Sequence, residues 1–264
     1  MLHTPLYLKD HVRPAYELRY SWAGWPSSPL PIRSESVLAD LQPWWEDDGL
    51  RLLEHRWCME LLQLTFSARP DVSPIFLAGR AKGRLQHALR KVVPDFGGFR
   101  RKVSVHSVGH NCREDVEAYV AAQVETATFV DARFRDMLQE FTTTRPEVDL
   151  AQPTESSHGR YWYNLHLVLV TDDRQRFVDP RSLSALHAGS LRIADKKGYK
   201  ISRLSVMPDH LHVALRGNIE QSPGEIALAF QNNLAYAMGQ VAIWAPSYYT
   251  GTFGEYDMWA IRGR

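Results

Sequence analysis

A chain of 264 residues, 44% hydrophobic and 23% charged with a formal net charge of +1, fits a soluble protein of one large domain or two small ones. Apolar runs such as Leu165 to Val170 are too short to cross a bilayer. The first twenty residues place Lys9, Asp10, Arg13 and Glu17 where a secretory signal needs an apolar core, so no membrane association and a cytoplasmic location are expected. Only Cys58 and Cys112 are present, which excludes a disulfide framework and a four-cysteine zinc site, and the near-neutral charge argues against a protein that coats nucleic acid broadly.

Along the chain, Leu18 to Trp22 and Leu61 to Phe66 read as strands. Ser73-Pro74 then opens a helix, serine as N-cap and proline at the first helical position. Its Leu77, Leu85 and Leu89 face inward, while Arg80, Arg84, His87 and Lys91 form a stripe. The segment from Arg69 to Lys102 holds Arg69, Arg80, Lys82, Arg84, Arg90, Lys91, Arg100, Arg101 and Lys102 against Asp71 and Asp95, a net charge of +7 that the neutral total conceals. Val103 to Val108 is a further strand. Asn111, with Glu114 three residues on, is expected to cap a helix that carries Val116, Tyr119, Val120 and Gln123 along one face. Residues 142–160 are polar and contain two prolines, and read as a linker. Beyond it, Leu165 to Val170, Leu204 to Val206 and His210 to Leu215 are predicted strands, and Ser222, Pro223 and Glu225 make a capping box at the head of another helix. The expected class is α+β with largely antiparallel sheet.

The halves resemble copies of one unit. Glu60 to Leu89 lies over Asp209 to Met238 without a gap, setting Ser73-Pro74 on Ser222-Pro223, and Tyr16 to Gly24 lies over Tyr163 to Thr171. The expected organisation is a first unit at 1–143, a linker at 144–160 and a second unit at 161–264.

Two groups of residues could do chemistry. In Met207-Pro208-Asp209-His210-Leu211-His212-Val213, His210 and His212 project from one face of a strand and can offer two imidazoles to one divalent ion. The same spacing also fits two half-exposed strand histidines. Tyr119 and Gln123 stand one above the other on a helix, where a phenol and a neutral oxygen ligand could address one ion; a core tyrosine with its hydroxyl at the surface fits as well. Tyr161, Trp162, Tyr163, Trp244, Tyr248 and Tyr249 could stack unpaired bases or belong to the core.

Together these pieces resemble the single-tyrosine HUH transposases of small bacterial insertion sequences and their REP-associated relatives. MPDHLHV at Met207 to Val213 is similar to the family's metal strand, and Trp244 to Gly254 resembles its approach to a tyrosine helix, for which too few residues are then expected to follow. In the first half, Ser107-Val108-Gly109 and Glu114 to Gln123 are similar to that tyrosine helix, whereas Leu61 and Gln63 stand opposite His210 and His212. Met1 to Pro14 match nothing in the family. The resemblance implies two ferredoxin-like HUH units, antiparallel sheets with helices on one face, fused as an intramolecular pseudo-dimer with one composite active site. It implies Mg²⁺ or Mn²⁺ held by His210, His212 and Gln123, with Tyr119 as nucleophile forming a 5′-phosphotyrosine. The partner implied is single-stranded DNA bearing a hairpin, gripped through Arg80, Lys82, Arg84, Arg90, Lys91, Arg100, Arg101 and Lys102. A nucleoid-associated bacterial protein, a monomeric pseudo-dimer able to assemble further, completes the expectation. Three alternatives stand beside it: a domesticated hairpin-binding protein that no longer cuts, a His-x-His hydrolase or oxygenase, and a nucleophile in the second half at Tyr248, Tyr249 or Tyr256.

Overall fold

The computed structural model describes residues 4–31, 36–129, 131–239 and 242–254. The first half contributes β1 (Arg13–Glu17), β2 (Arg19–Pro26), α1 (Val37–Asp47), β3 (Leu50–Trp57), β4 (Leu62–Ala68), α2 (Pro74–Val92) and β5 (Phe99–Val108). A middle segment follows with α3 (Arg113–Ala121), α4 (Gln123–Thr126), α5 (Ala132–Gln139), β6 (Thr142–Thr144), β7 (Thr154–Ser156) and β8 (Gly159–Trp162). The second half adds β9 (Asn164–Val170), α6 (Pro180–Lys197), β10 (Lys200–Val206), β11 (His210–Arg216), α7 (Pro223–Ala237) and β12 (Ser247–Thr252). The order β2-α1-β3-β4-α2-β5 thus recurs as β9-α6-β10-β11-α7-β12.

Both predicted caps form. Ser73 Oγ accepts from the Phe76 amide at 3.3 Å, and the Ser222 and Glu225 side chains satisfy each other's backbone amides at the head of α7. At α3 the expectation is corrected: Cys112 is the N-cap and no side chain caps the helix. Asn111 is held outside the helix, where its carbonyl accepts from the Gly254 amide.

Two six-stranded sheets result, ordered β3-β4-β2-β5-β8-β7 and β1-β12-β9-β11-β10-β6. Each borrows from the other half. β1 pairs parallel with β12, β8 pairs parallel with β5, and β6 extends the second sheet beyond β10. The stretch 144–160, expected as a linker, therefore holds the edge strand β7 and the start of β8, which lies between β7 and β5 in the first sheet. Strand pairing thus crosses the expected divisions at 143 and 161. Physically this exchange ties each sheet to segments of the other half, and one hydrophobic core runs from Trp22, Trp45 and Phe66 through Tyr20 and Tyr163 to Leu167, Leu211 and Phe230.

The exchange has pseudo-twofold symmetry. Ser107 Oγ accepts from the Asn164 amide at 3.0 Å and donates to the Phe253 carbonyl at 2.9 Å. Thr252 Oγ accepts from the Arg19 amide and donates to the Val108 carbonyl, both at 2.7 Å. Arg19 and Asn164, Ser107 and Thr252, and Val108 and Phe253 are all 145 positions apart, so the two pairs of bonds are symmetry mates. Gly109 and Gly254 lie at the crossing, where a Cβ on either would collide with a carbonyl oxygen of the opposing strand, that of Thr252 or of Ser107.

The same offset corrects the strand match made on sequence. Arg19 lies opposite Ser67 in the first sheet and Asn164 opposite Arg216 in the second, so Arg19 corresponds to Asn164 and Ser21 to His166. The sequence match was two positions off. A strand repeats its facing pattern every two residues, so a slip of two preserves the apolar alternation that guided the match.

Helices α6 and α7 cover one face of the second sheet, against Leu165, Leu167, Leu169, Leu211 and Val213. The expectation of helices on one face only is corrected there: α3 crosses from the first half, and its Val116 and Val120 pack with Ala214 and Phe253 on the opposite face. The first unit thereby delivers its helix to the second unit's sheet.

Candidate active site between the two units

β11 opens with His210 and His212 on the face that α3 approaches. Their ring centroids are 5.0 Å apart. Asp209 Oδ1 lies 2.6 Å from His210 Nδ1, and the other oxygen of Asp209 accepts from Arg174 at 3.3 Å. His212 Nδ1 lies 3.0 Å from Nε2 of His166. The sequence reading missed His166. It sits on β9 opposite Ala214, diagonal to His212, so only the strand register brings the two together. The alternation in Asn164 to Val170, apolar residues at every second position and His166 between them, was the signal available.

Tyr119 reaches this cluster from the other half of the chain. Its ring stands edge-on to His212 at 5.5 Å and to His166 at 5.8 Å between centroids. Half of its surface, 54%, remains open. Apolar packing of Val116 and Val120 sets the height of α3, and a shielded ion pair between Glu117 and Arg203 at 3.5 Å ties the helix to β10. Gln123 does not continue the same helix: α3 ends at Ala121, and Gln123 starts α4, buried, with its amide donating to the Tyr119 carbonyl at 3.0 Å. No bond from Gln123 to the histidines is formed. Tyr249 borders the site, its ring 5.9 Å from that of His166, while Tyr248 is buried and Tyr256 lies outside the described residues.

Burial dominates the electrostatics. It pushes His212 down to about 2, helped by the neighbouring His166 and His210, and it pushes His166 down to about 4. Both rings are therefore neutral near pH 7. If Nδ1–H of His212 donates to Nε2 of His166, the Nε2 lone pair of His212 is left for a ligand, and Asp209 frees Nε2 of His210 in the same way. For Asp209 burial raises the pKa, but the bond to His210 and its charge outweigh that and hold the carboxyl below the usual range. Burial, and then the charge of Glu17, raise Tyr249. Among the described residues no group of three or more His, Cys, Asp or Glu side chains is arranged to hold a metal ion. What the structure offers is two imidazoles on one face, His210 and His212, each with a partner at Nδ1.

The basic residues divide into two sets. Arg80 and Arg84 both contact Asp48, and Lys82 donates to the carbonyls of Arg100 and Arg101 at 2.7 and 3.0 Å. Arg90, Lys91, Arg100, Arg101 and Lys102 are exposed. Of the aromatic candidates for stacking, Tyr161, Tyr163, Trp244 and Tyr248 are core residues; Trp162 and Tyr249 keep accessible surface.

With a tyrosine of one half set against paired histidines of the other, the comparison with known proteins is informative. Residues 160–262 match the model of the family described as "Transposase IS200 like". Over that stretch the second unit is similar to IS200-like transposases. Solved structures similar to this chain include a Deinococcus radiodurans protein assigned as a transposase, 19% identical over 41% of this chain and 92% of that one, with a TM-score of 0.33. A REP-associated tyrosine transposase bound to a REP hairpin is 13% identical over 36% of this chain and 58% of that one, with a TM-score of 0.32. The regulatory subunit of aspartate kinase from Thermus thermophilus is 11% identical over 83% of this chain and 92% of that one, with a TM-score of 0.19. The chain matches no curated protein. No helix among the described residues is long and apolar enough to cross a membrane.

Proposed function

We propose that this chain is a metal-dependent, single-strand DNA nickase and strand transferase with one composite active site, built from Tyr119 of the first unit and His210 and His212 of the second. The observation that carries the reading is the position of the Tyr119 ring, 5.5 Å from His212 although 93 residues separate them in sequence.

Tyr119 Oη would attack the scissile phosphorus, forming a Tyr–O–P bond. The bond from phosphorus to the 3′ oxygen breaks, the phenolic proton leaves, and the departing 3′ oxygen takes up a proton. A 5′-phosphotyrosine and a free 3′-hydroxyl result. Because the ester retains the bond energy, a second 3′-hydroxyl can displace Tyr119 and join new ends without ATP. His210 and His212, each oriented through Nδ1, fit a divalent ion such as Mg²⁺ or Mn²⁺, and Gln123 could add a neutral carbonyl oxygen. When bound, such an ion would polarise the phosphate and stabilise charge developing on its oxygens. The exposure of Tyr119 leaves room for a strand to lie across it.

For DNA affinity, Arg90, Lys91, Arg100, Arg101 and Lys102 are the cations free to meet phosphates, whereas Arg80 and Arg84 share Asp48 and Lys82 braces β5. The substrate we propose is a single strand with an adjoining hairpin, bound by the monomeric pseudo-dimer in a bacterial cytoplasm. The test is to incubate the protein with Mg²⁺ or Mn²⁺ and single-stranded DNA from the flanks of its own gene, then resolve covalent adducts on a denaturing gel. An adduct lost in Tyr119→Phe supports the composite site. An adduct that survives Tyr119→Phe and disappears in Tyr249→Phe places the nucleophile elsewhere. Hairpin binding with no adduct under any condition favours a protein that recognises DNA without cutting it.

A further inference from the structure

The face of the first sheet that corresponds to the active site has lost its chemistry but holds a cavity of about 270 Å³. The correspondence runs residue by residue. Ser21 stands for His166 and Gln63 for His212, and the Gln63 amide donates to Ser21 Oγ at 2.9 Å where the two histidines meet in the second sheet. His106 lies opposite Ser21 as Gly251 lies opposite His166, and Trp162 lies beside His106 as Glu17 lies beside Gly251. Where the second sheet has a glycine covered by the Tyr249 ring, and a carboxylate, the first has two stacked rings, 3.8 Å between centroids and 13° from parallel. The indole is fixed by its Nε1, which donates to the Ala151 carbonyl at 2.6 Å.

The wall around this stack carries a second indole, Trp25, and three cationic side chains, Lys102, Arg113 and Arg160, with no carboxylate among its lining residues. Arg160 pairs with Glu155 at 3.1 Å and Arg113 with Glu114, both carboxylates outside the lining, so Lys102 and the shared guanidinium groups are the charge that a phosphate would meet. Beside them the flat aromatic surface suits an unpaired nucleobase, because every base has a π face to stack and stacking tolerates any sequence. A peptide ligand would need backbone partners or an acidic complement that the wall does not supply. Exchange of Glu17 for Trp162 at corresponding places also removes the negative charge that would repel a phosphate.

We infer that this cavity is a nucleotide-binding subsite, which holds one unpaired nucleotide of the strand that Tyr119 cleaves. The inference rests on the function proposed above for its substrate class. Geometry gives it a register. Arg113 lines the cavity and begins α3, and Tyr119 lies six residues along the same helix, so the two are separated by roughly 9 Å along the helix axis. With about 3.4 Å of rise per nucleotide, the bound nucleotide falls within about four positions of the scissile phosphate.

The experiment uses the full chain with Mg²⁺ and single-stranded oligonucleotides in which 5-bromodeoxyuridine is moved one position at a time past the cleaved bond. After irradiation, cross-linked peptides are mapped by mass spectrometry and the Tyr119 adduct is measured in parallel. The expected result is a cross-link to Trp162, His106 or Trp25 confined to positions within about four nucleotides of the cleaved phosphate. Arg160→Glu, at an exposed position of β8, should weaken oligonucleotide binding about tenfold, the scale of one stacked and neutralised nucleotide, while the adduct still forms at saturating DNA. Trp162→Leu should do the same if it folds; Arg160→Glu makes the case without it. A Tyr119 adduct with no cross-link in the cavity at any position, and unchanged binding in Arg160→Glu, overturns the subsite and leaves the proposed function standing. Cross-links in the cavity without any adduct uphold the subsite and overturn the cleavage reading instead.

Discussion

Gln63 donates its amide hydrogen to the hydroxyl of Ser21 at 2.9 Å, both side chains buried, in the place where the second sheet sets His212 against His166. A buried polar pair has replaced a buried imidazole pair without disturbing the sheet. Gln63→Ala should therefore leave the Ser21 hydroxyl unpaired above a small cavity and cost about 2–3 kcal/mol in urea unfolding, with adduct formation unchanged. Loss of the adduct in a folded Gln63→Ala protein would show that the first face takes part in cleavage.

Gly109 sits at the crossing, where an added Cβ meets the Thr252 carbonyl, which is backbone and cannot swing aside. Gly109→Ala is expected to destabilise by about 3 kcal/mol. Gly83→Ala serves as control: Gly83 lies on α2 with open space around it, and helix propensity alone should make the change neutral or stabilising by up to about 1 kcal/mol. Thermal unfolding of both variants checks the contrast, and equal midpoints would contradict it.

Asp209 holds His210 by Nδ1 at 2.6 Å. If His210 binds a metal through its other nitrogen, Asp209→Asn should lower Mn²⁺ affinity about 10- to 100-fold, measured by titration, and high metal should recover adduct formation. Unaltered affinity would remove His210 from the ligand set.

Glu117 and Arg203 anchor α3 to β10 with side chains less than one-fifth exposed. Glu117→Gln should cost about 1–3 kcal/mol and slow adduct formation by loosening the helix that bears Tyr119, with Mn²⁺ affinity unaffected. The charge-swapped pair, Glu117→Arg with Arg203→Glu, should recover part of the rate.

Stability should fall in mild acid. His166 and His212 have pKa values near 4 and 2 in the folded chain, below the ordinary histidine value of 6.5, so the unfolded chain binds protons that the folded chain refuses. Their neutral burial is compatible with full stability above about pH 6.5. As pH drops below that value, each is expected to remove up to about 1.4 kcal/mol per pH unit until its folded value is reached. Urea midpoints between pH 7 and 5 check this; a flat profile, or one unchanged by His166→Asn, would contradict the assignment.

The sequence by itself determined the local units. Serine followed by proline specifies where α2 and α7 begin, alternating apolar residues mark β2, β4, β9 and β11, and the facing direction of two residues two apart on a strand puts His210 and His212 on one side. The helix that bears Tyr119 was legible too, although its pattern ran on to Gln123 where the structure ends it at Ala121. What local pattern could not supply was register and partnership. A strand looks the same to its own periodicity after a slip of two, so His166 and its counterpart Ser21 went unmatched until hydrogen bonds fixed who faces whom. Nor could 144–160 be read as sheet: β7 and β8 are short strands whose stability comes from the pairing of β8 with β5 and of β7 with β8, not from any apolar run of their own. The break between Tyr119 and Gln123, the capture of Arg80 and Arg84 by Asp48, and the crossing at Gly109 and Gly254 are all contacts between distant segments. The tertiary structure decided these because each depends on close approach of groups far apart in the chain, and it is that approach which sets Tyr119 of one half beside His166 and His212 of the other.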